Sequence, residues 1–220
     1  MVEKVLLRSW RRLFPSLLVL LLAGGCSRVP RIIVLEDPLT AAEHVELGVA
    51  YERKGELDLA RREYERALRK DGMFYRARVN LGNIFLAKKE YGKAREEYLL
   101  ALELRPEDAE ATNNLSWAAI SSGAGIEEAL TRMEAVVSGP GGRLPVLLDT
   151  LGVLRMHANR PGEAEEAFAL AERFCRQAGT APREGVNGDP PCPEEVLREI
   201  EDHREELRRR YPSPPPAQVK

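Results

Sequence analysis

Histidine and cysteine are scarce in this chain, with three of each among 220 residues. His44, His157 and His203 lie far apart, and none stands at ligand spacing from a second histidine or a cysteine, so no metal site is expected. Each reads as a surface or helix-face residue. A glycine-rich phosphate loop, a G-x-S-x-G elbow and an H-E-x-x-H helix are all missing. Acidic pairs such as Glu127-Glu128 and Glu165-Glu166 fall on the polar faces of predicted helices, where solvated carboxylates are the default. A non-catalytic protein with no cofactor and no small-molecule substrate is therefore expected. Basic clusters are absent as well: 33 Lys and Arg stand against 35 Asp and Glu, and this mildly acidic balance argues against nucleic acid as a partner.

Long apolar runs are missing too. A bilayer-spanning helix needs about 20 predominantly apolar residues. Leu13 to Gly25 falls short of that, with Pro15 inside it and Arg12 at its edge. What stands there is a basic start (Lys4, Arg8, Arg11, Arg12), an apolar middle from Leu17 to Leu22, and a small-residue exit, Ala23-Gly24-Gly25. That is the layout of a secretory leader. The residues Ala23-Gly24-Gly25-Cys26 resemble the lipobox of bacterial lipoproteins, although the slot usually held by leucine carries Ala23 and Leu22 lies one place further out. The resemblance implies cleavage before Cys26, lipid on its sulfur, and a chain fastened to a membrane through Cys26. Two or more acyl chains hold durably where one holds only reversibly. It also implies the bacterial cell envelope, facing the periplasm, the outer membrane ahead of the inner. The alternative is a secreted protein cut near Gly25, with Cys26 a thiol or a disulfide partner.

Without residues 1–25 the balance becomes 29 basic against 34 acidic residues. Two cysteines then remain, Cys175 and Cys192, flanking the Gly- and Pro-rich segment RQAGTAPREGVNGDPP. That composition reads as a loop. An oxidising compartment permits a bridge across it, contributing about 3 kcal/mol if unstrained; two free thiols are the alternative.

The chain repeats itself. Leu47-Gly48-x-x-Tyr51 is followed by Ala60-x-x-x-Tyr64 and Ala67, and thirty-four residues later by Leu81-Gly82-x-x-Phe85, Ala94-x-x-x-Tyr98, Ala101 and Pro106. This looks like the tetratricopeptide repeat (TPR) family, whose units pair a Leu-Gly-x-x-Tyr helix with an Ala-x-x-x-Phe helix. Looser copies continue at Leu115-Ser116 with Ala129-x-x-x-Met133, and at Leu151-Gly152 with Ala164-x-x-x-Phe168. The expected fold is all-α, a superhelical solenoid of about four helix-turn-helix repeats over 41–178, divided as 41–74, 75–108, 109–144 and 145–178. Around it come a leader, 1–25, a linker, 26–40, a Gly/Pro-rich loop, 179–192, a capping helix, 193–211, and a Pro-rich tail, 212–220.

The spacing has a physical meaning apart from the family. Gly48, Gly82, Ser116 and Gly152 lack bulk where one helix must approach its partner, and Ala60, Ala94, Ala129 and Ala164 do the same from the other side. Tyr51, Phe85, Tyr64, Tyr98 and Phe168 fill the remaining space. A two-helix unit cannot bury its apolar face alone, so at least three must stack. Val196, Leu197, Ile200, Leu207 and Tyr211 recur at helical spacing among charged residues, which fits a terminal helix with a polar outer surface.

In TPR arrays the first helix of each unit lines the concave face. The resemblance places Arg76, Asn80, Asn83, Asn113, Asn114, Trp117 and Asp149 along one groove for a protein or an extended peptide. Asparagine amides can bond a peptide backbone, and tryptophan offers an anchoring surface; helix capping and interhelix packing are the alternatives. The carboxylate clamp of chaperone-binding members is absent, since its positions hold Val45 and Val49. Leader, lipobox and repeats together resemble the pilot lipoproteins that assist secretin assembly in type IV pilus systems. The expected function is a lipid-anchored adaptor of envelope assembly; a self-associating spacer of membrane complexes and an enzyme accessory subunit are the other readings.

Overall fold

The computed structural model describes residues 37–140, 144–180 and 192–212, with backbone only at 178–180. The lipobox cysteine Cys26, the linker before Asp37, residues 181–191 of the predicted loop and the tail from 213 lie outside the described residues. The chain divides after Pro38, and every helix treated below belongs to the second unit, 39–220.

The described residues form nine helices and no strand: α1 Ala41–Arg53, α2 Leu57–Lys70, α3 Tyr75–Ala87, α4 Tyr91–Leu104, α5 Ala109–Ser122, α6 Ile126–Ser138, α7 Pro145–His157, α8 Pro161–Thr180 and α9 Glu194–Arg210. The first eight pair as α1/α2, α3/α4, α5/α6 and α7/α8, and each pair packs on the next. Local chemistry sets the helix ends. Thr40 and Glu43 close a capping box at the start of α1, where the Glu43 amide donates to Thr40 Oγ1 (3.3 Å) and the Thr40 amide to Glu43 Oε2 (2.8 Å). The Thr40 amide and the Thr40 hydroxyl, each donating to Glu43 Oε2 at 2.8 Å, hold that carboxyl below its usual range. Asp108 caps α5 by accepting from the Ala111 amide at 2.8 Å, and Pro145 occupies the first turn of α7, where its missing N–H costs nothing. Gly123 ends α5 at φ 68°, a left-handed conformation that glycine adopts without strain.

Each unit is held by one small residue facing one large one. A Cβ built on Gly48 would lie 2.4 Å from the ring of Tyr64, one on Gly82 2.6 Å from Tyr98, and one on Gly152 2.4 Å from Phe168. Those three rings are fully buried, and so is Met133, which takes the corresponding place in the third unit, opposite Ser116. Ser116 turns its hydroxyl back onto the Thr112 carbonyl at 2.8 Å, satisfying it inside the core. Ala60, Ala94, Ala129 and Ala164 are buried to 1% exposure or less, as close helix contact requires. Salt bridges Lys88–Asp58, Arg95–Glu128 and Arg160–Glu127 join successive units at the surface. Solvent-exposed pairs of this kind are largely screened and contribute little to stability.

The last helix departs from the simple repeat. α9 packs on α8 and on α7, the position that the first helix of a fifth unit would take. It buries Ile200 and Leu207 against Leu148, Val153, Met156 and Phe168. Covered in this way, α7 is buried on nearly every side from Leu147 to Met156, the state expected of a helix apolar all round. Arg204 bridges Glu165 and Glu172 of α8, and the Tyr211 hydroxyl lies 2.9 Å from Asn159 Oδ1 and 3.2 Å from the Met156 carbonyl. A disulfide joins Cys175 of α8 to Cys192, just ahead of α9, with Cα atoms 5.0 Å apart. α8 itself runs to Thr180, two residues past the expected end of the array at 178.

Two of the three histidines are not surface residues. His44 is fully buried, its Nδ1 2.8 Å from Glu63 Oε2, while Arg66 Nη1 donates to Glu63 Oε1 at 2.7 Å. His203 is half-buried against Asp149. In both cases a carboxylate on another helix offsets the cost of taking the imidazole out of water; His157 alone is exposed.

Candidate functional site

α3 packs on α5, α5 on α7 and α7 on α9, so the first helices of the units form one continuous inner layer. A line of polar side chains crosses that layer from helix to helix. At its start Arg76 Nη1 donates to Glu46 Oε1 of α1 at 3.1 Å, both side chains exposed. Next, the Tyr64 hydroxyl donates to Glu52 Oε2 at 2.7 Å and also bonds Asn80. Asn83 Oδ1 accepts twice, from the Tyr98 hydroxyl at 2.7 Å and from Asn114 Nδ2 of α5 at 3.0 Å. Asn113 Oδ1 lies 2.8 Å from the Thr150 hydroxyl of α7. The line ends at Asp149, whose two oxygens lie 3.0 and 2.9 Å from His203 Nδ1.

The electrostatics follow from these contacts. Burial pushes the Tyr64 and Tyr98 phenols well above their ordinary range, and for Tyr64 the hydrogen bond to Glu52 adds to it. Both hydroxyls therefore stay protonated and act as donors. The hydrogen bond to Asp149 raises the His203 pKa against the opposing effect of burial, favouring the imidazolium. Its ring sits between two aromatic neighbours, with centroids 6.4 Å from Trp117 and 6.1 Å from Phe168.

The expected groove residues divide by what they touch. Asn80, Asn83, Asn113, Asn114 and Trp117 are partly exposed on the inner layer. The amides of Asn83, Asn113 and Asn114 also tie neighbouring helices together, so their side chains are fixed in orientation. Arg76 is exposed but paired with Glu46. Asp149 departs from the expected groove: only 5% exposed, it lies beneath α9 and not on an open channel, because Ile200 and Leu207 pack α9 onto α7 and His203 offsets the cost of burying the carboxylate. Val45 is fully buried and Val49 packs on the core, which accounts for apolar residues at the clamp positions.

Sequence reasoning missed His203, Glu46, Glu52 and Thr150. A signal for His203 was present: Ile200, His203 and Leu207 stand at i, i+3 and i+7 on one face of α9, so the histidine shares the buried stripe. Among the described residues, no group of three or more His, Cys, Asp or Glu is placed to hold a metal ion. No described helix is long and apolar enough to cross a membrane.

The fold built around this layer is an all-α TPR solenoid. Residues 45–109 match the family model described as a tetratricopeptide repeat. Among solved structures, the chain is similar to MamA 41-end from Desulfovibrio magneticus RS-1, at 17% identity and TM-score 0.55, over 79% of this chain and 97% of that one. It is similar to pilF of Pseudomonas aeruginosa at 20% identity and TM-score 0.55, over 81% and 79%. It also resembles the APC/C hetero-tetramer Cut9-Hcn1 at 18% identity and TM-score 0.60, over 80% of this chain but 31% of the other. At these identities the likeness is one of fold. No curated protein matches the sequence.

Proposed function

We propose that this protein is a non-catalytic adaptor that holds an extended segment of a partner protein along the inner layer of its first helices. The observation that carries the reading is the row Asn80, Asn83, Asn114 and Trp117. These are polar and aromatic side chains on α3 and α5, partly exposed and, at Asn83 and Asn114, held in place by bonds to Tyr98 and to each other. Pre-oriented donors and acceptors lower the entropy lost on binding, and a partly exposed tryptophan supplies apolar area for one anchoring contact. The lipobox resemblance at Cys26 supports a setting for this activity in the bacterial envelope, with the array tethered through lipid and facing the periplasm. The partner is then an envelope protein, and secretin or type IV pilus assembly is the process that the architecture suggests.

The test is affinity capture from solubilised envelopes with the wild type and with Trp117→Ala, read beside chemical denaturation of both. The expected result is a partner lost or weakened at least tenfold, as for an interface anchor. The stability cost should fall below the roughly 3–5 kcal/mol of a fully buried aromatic, because Trp117 is only partly buried. Normal capture by a stable variant would remove Trp117 from the site.

A further inference from the structure

The C-terminal helix ends the array, and it also sits against the site. Of the seventeen residues of α9, only Ile200 and Leu207 are buried, while His203 reaches across α7 to Asp149 and to the ring of Trp117 on α5. A partner segment running along α3 and α5 toward α7 would meet α9 at Trp117. The helix is rich in charge and buries only two side chains, and a helix in a protein draws most of its stability from the packing of its apolar face, so its docking depends on what ties it down. The covalent tie is the disulfide between Cys175, buried in α8, and Cys192, two residues ahead of α9.

We propose that the Cys175–Cys192 disulfide latches α9 over the C-terminal end of the partner groove, and that a dithiol reductant releases it to extend the groove past Trp117 to Asp149. The regulation proposed here rests on the adaptor reading above. The chemistry balances without any other component. A thiolate of the reductant attacks Cys192 Sγ, the partly exposed sulfur, and forms a mixed disulfide. Cys175 leaves as a thiolate and takes a proton. The second thiol of the reductant then closes its own disulfide and frees Cys192, so two electrons and two protons pass to the protein. With the bridge open, α9 remains joined only by the chain between Cys175 and Cys192, a separation of 17 residues. In the chain-entropy account, closing a loop of that size lowers the opening equilibrium by on the order of a hundredfold. What then holds α9 is Ile200, Leu207, the His203–Asp149 contact, Arg204 on Glu165 and Glu172, and Tyr211 on Asn159 and Met156.

The experiment compares the full-length protein with and without dithiothreitol by hydrogen exchange. A labelled peptide of residues 193–211 serves as a probe for the vacated seat, and Cys175→Ser with Cys192→Ser provides an unlatched variant that needs no reductant. Reduction and the double variant should each speed exchange of the 194–210 amides by on the order of a hundredfold, leave α1 to α4 unchanged, and allow the peptide to bind where the oxidised protein excludes it. Unchanged α9 exchange on reduction would overturn the latch, and so would equal acceleration throughout the array, which would make the bridge a general staple. Partner capture separates the two readings. Capture that depends on Trp117 yet is equal in both redox states refutes the latch and leaves the groove standing. Capture indifferent to Trp117 refutes the groove, while α9 exchange still decides the latch.

Discussion

Gly82→Ala is a severe test of the packing rule, because elsewhere it would be a benign change. In an exposed helix interior, replacing glycine by alanine stabilises by about 1 kcal/mol. At Gly82 the new Cβ would lie 2.6, 2.8 and 2.9 Å from Cε1, Cδ1 and Cζ of Tyr98. That ring is fully buried, and its hydroxyl is fixed on Asn83 Oδ1 at 2.7 Å, so it has no free direction in which to move. Overpacking costs about 1–3 kcal/mol, and a displaced Tyr98 hydroxyl forfeits about 1 kcal/mol more. Set against the propensity gain, the net expectation is a destabilisation of about 1–3 kcal/mol. Urea unfolding followed by far-UV circular dichroism should show a lower midpoint at unchanged slope. The third unit supplies the control, since it carries Ser116 and Met133 in these two places. Gly82→Ser combined with Tyr98→Met should recover part of the loss, with a coupling of at least about 1 kcal/mol in the double-mutant cycle. A Gly82→Ala protein more stable than the wild type would refute the close approach itself.

The remaining predictions address the anchor and the last helix. Cys26→Ser should release the protein from membranes or leave an uncut precursor, since an oxygen there cannot carry the thioether-linked lipid; fractionation and intact mass would show it, and a wild type wholly soluble without acyl mass would refute the anchor. The His203 pKa is raised above its ordinary 6.5 by Asp149, with Glu199 and Glu206 of its own helix adding to it, while Trp117 and Phe168 face it as uncharged rings. Its stabilisation is thus fully present below about pH 6.5 and is lost as pH rises through the raised folded-state value. Exchange of the α9 amides, corrected for intrinsic rates, should accelerate on that rise, and His203→Gln should flatten the dependence. His157 is exposed in its side chain as a whole, but packed neighbours partly desolvate its ring and lower its pKa; it contributes the opposite slope, and the comparison with His203→Gln cancels it.

The helix pairs were legible because the determinant is local in sequence. Leu81-Gly82 and Tyr98 lie within one unit, and a residue without a side chain opposite a large ring states both the contact and its distance. The TPR resemblance assigned Asn80, Asn83, Asn113, Asn114 and Trp117 to the inner face, and all five are partly exposed on α3 and α5. A resemblance does not say what occupies that face. It assigned Asp149 of α7 to the same face, but the surroundings of Asp149 are set by His203, 54 residues away across the Gly/Pro-rich segment. That contact carries no local signature. His44 illustrates the same limit. Its pairing with Glu63 spans two helices, and nothing near His44 in sequence distinguishes a buried imidazole from an exposed one.

The inner layer is built differently in its two halves, and the difference comes from one atom on the packing residue. In the first two units the ring opposite the glycine is tyrosine, so the side chain that fills the core also delivers a hydroxyl to the inner face, at Glu52 from Tyr64 and at Asn83 from Tyr98. In the third and fourth units the same place holds Met133 and Phe168, which fill space and donate nothing. The polar line can continue only if other residues supply it. Thr150 does so for Asn113, and beyond that point the next donor is His203, which comes from α9 and not from the unit itself. The polar surface of α3 and α5 therefore belongs to the repeats and persists whatever the last helix does. The Asp149 end is satisfied only while α9 is docked. When α9 departs, a carboxylate and the apolar side chains of Leu148, Val153 and Met156 lose their cover together. The segment that replaces α9 there must then bring a cation flanked by aliphatic side chains, because an unpaired carboxylate beside bare apolar surface is costly on both counts.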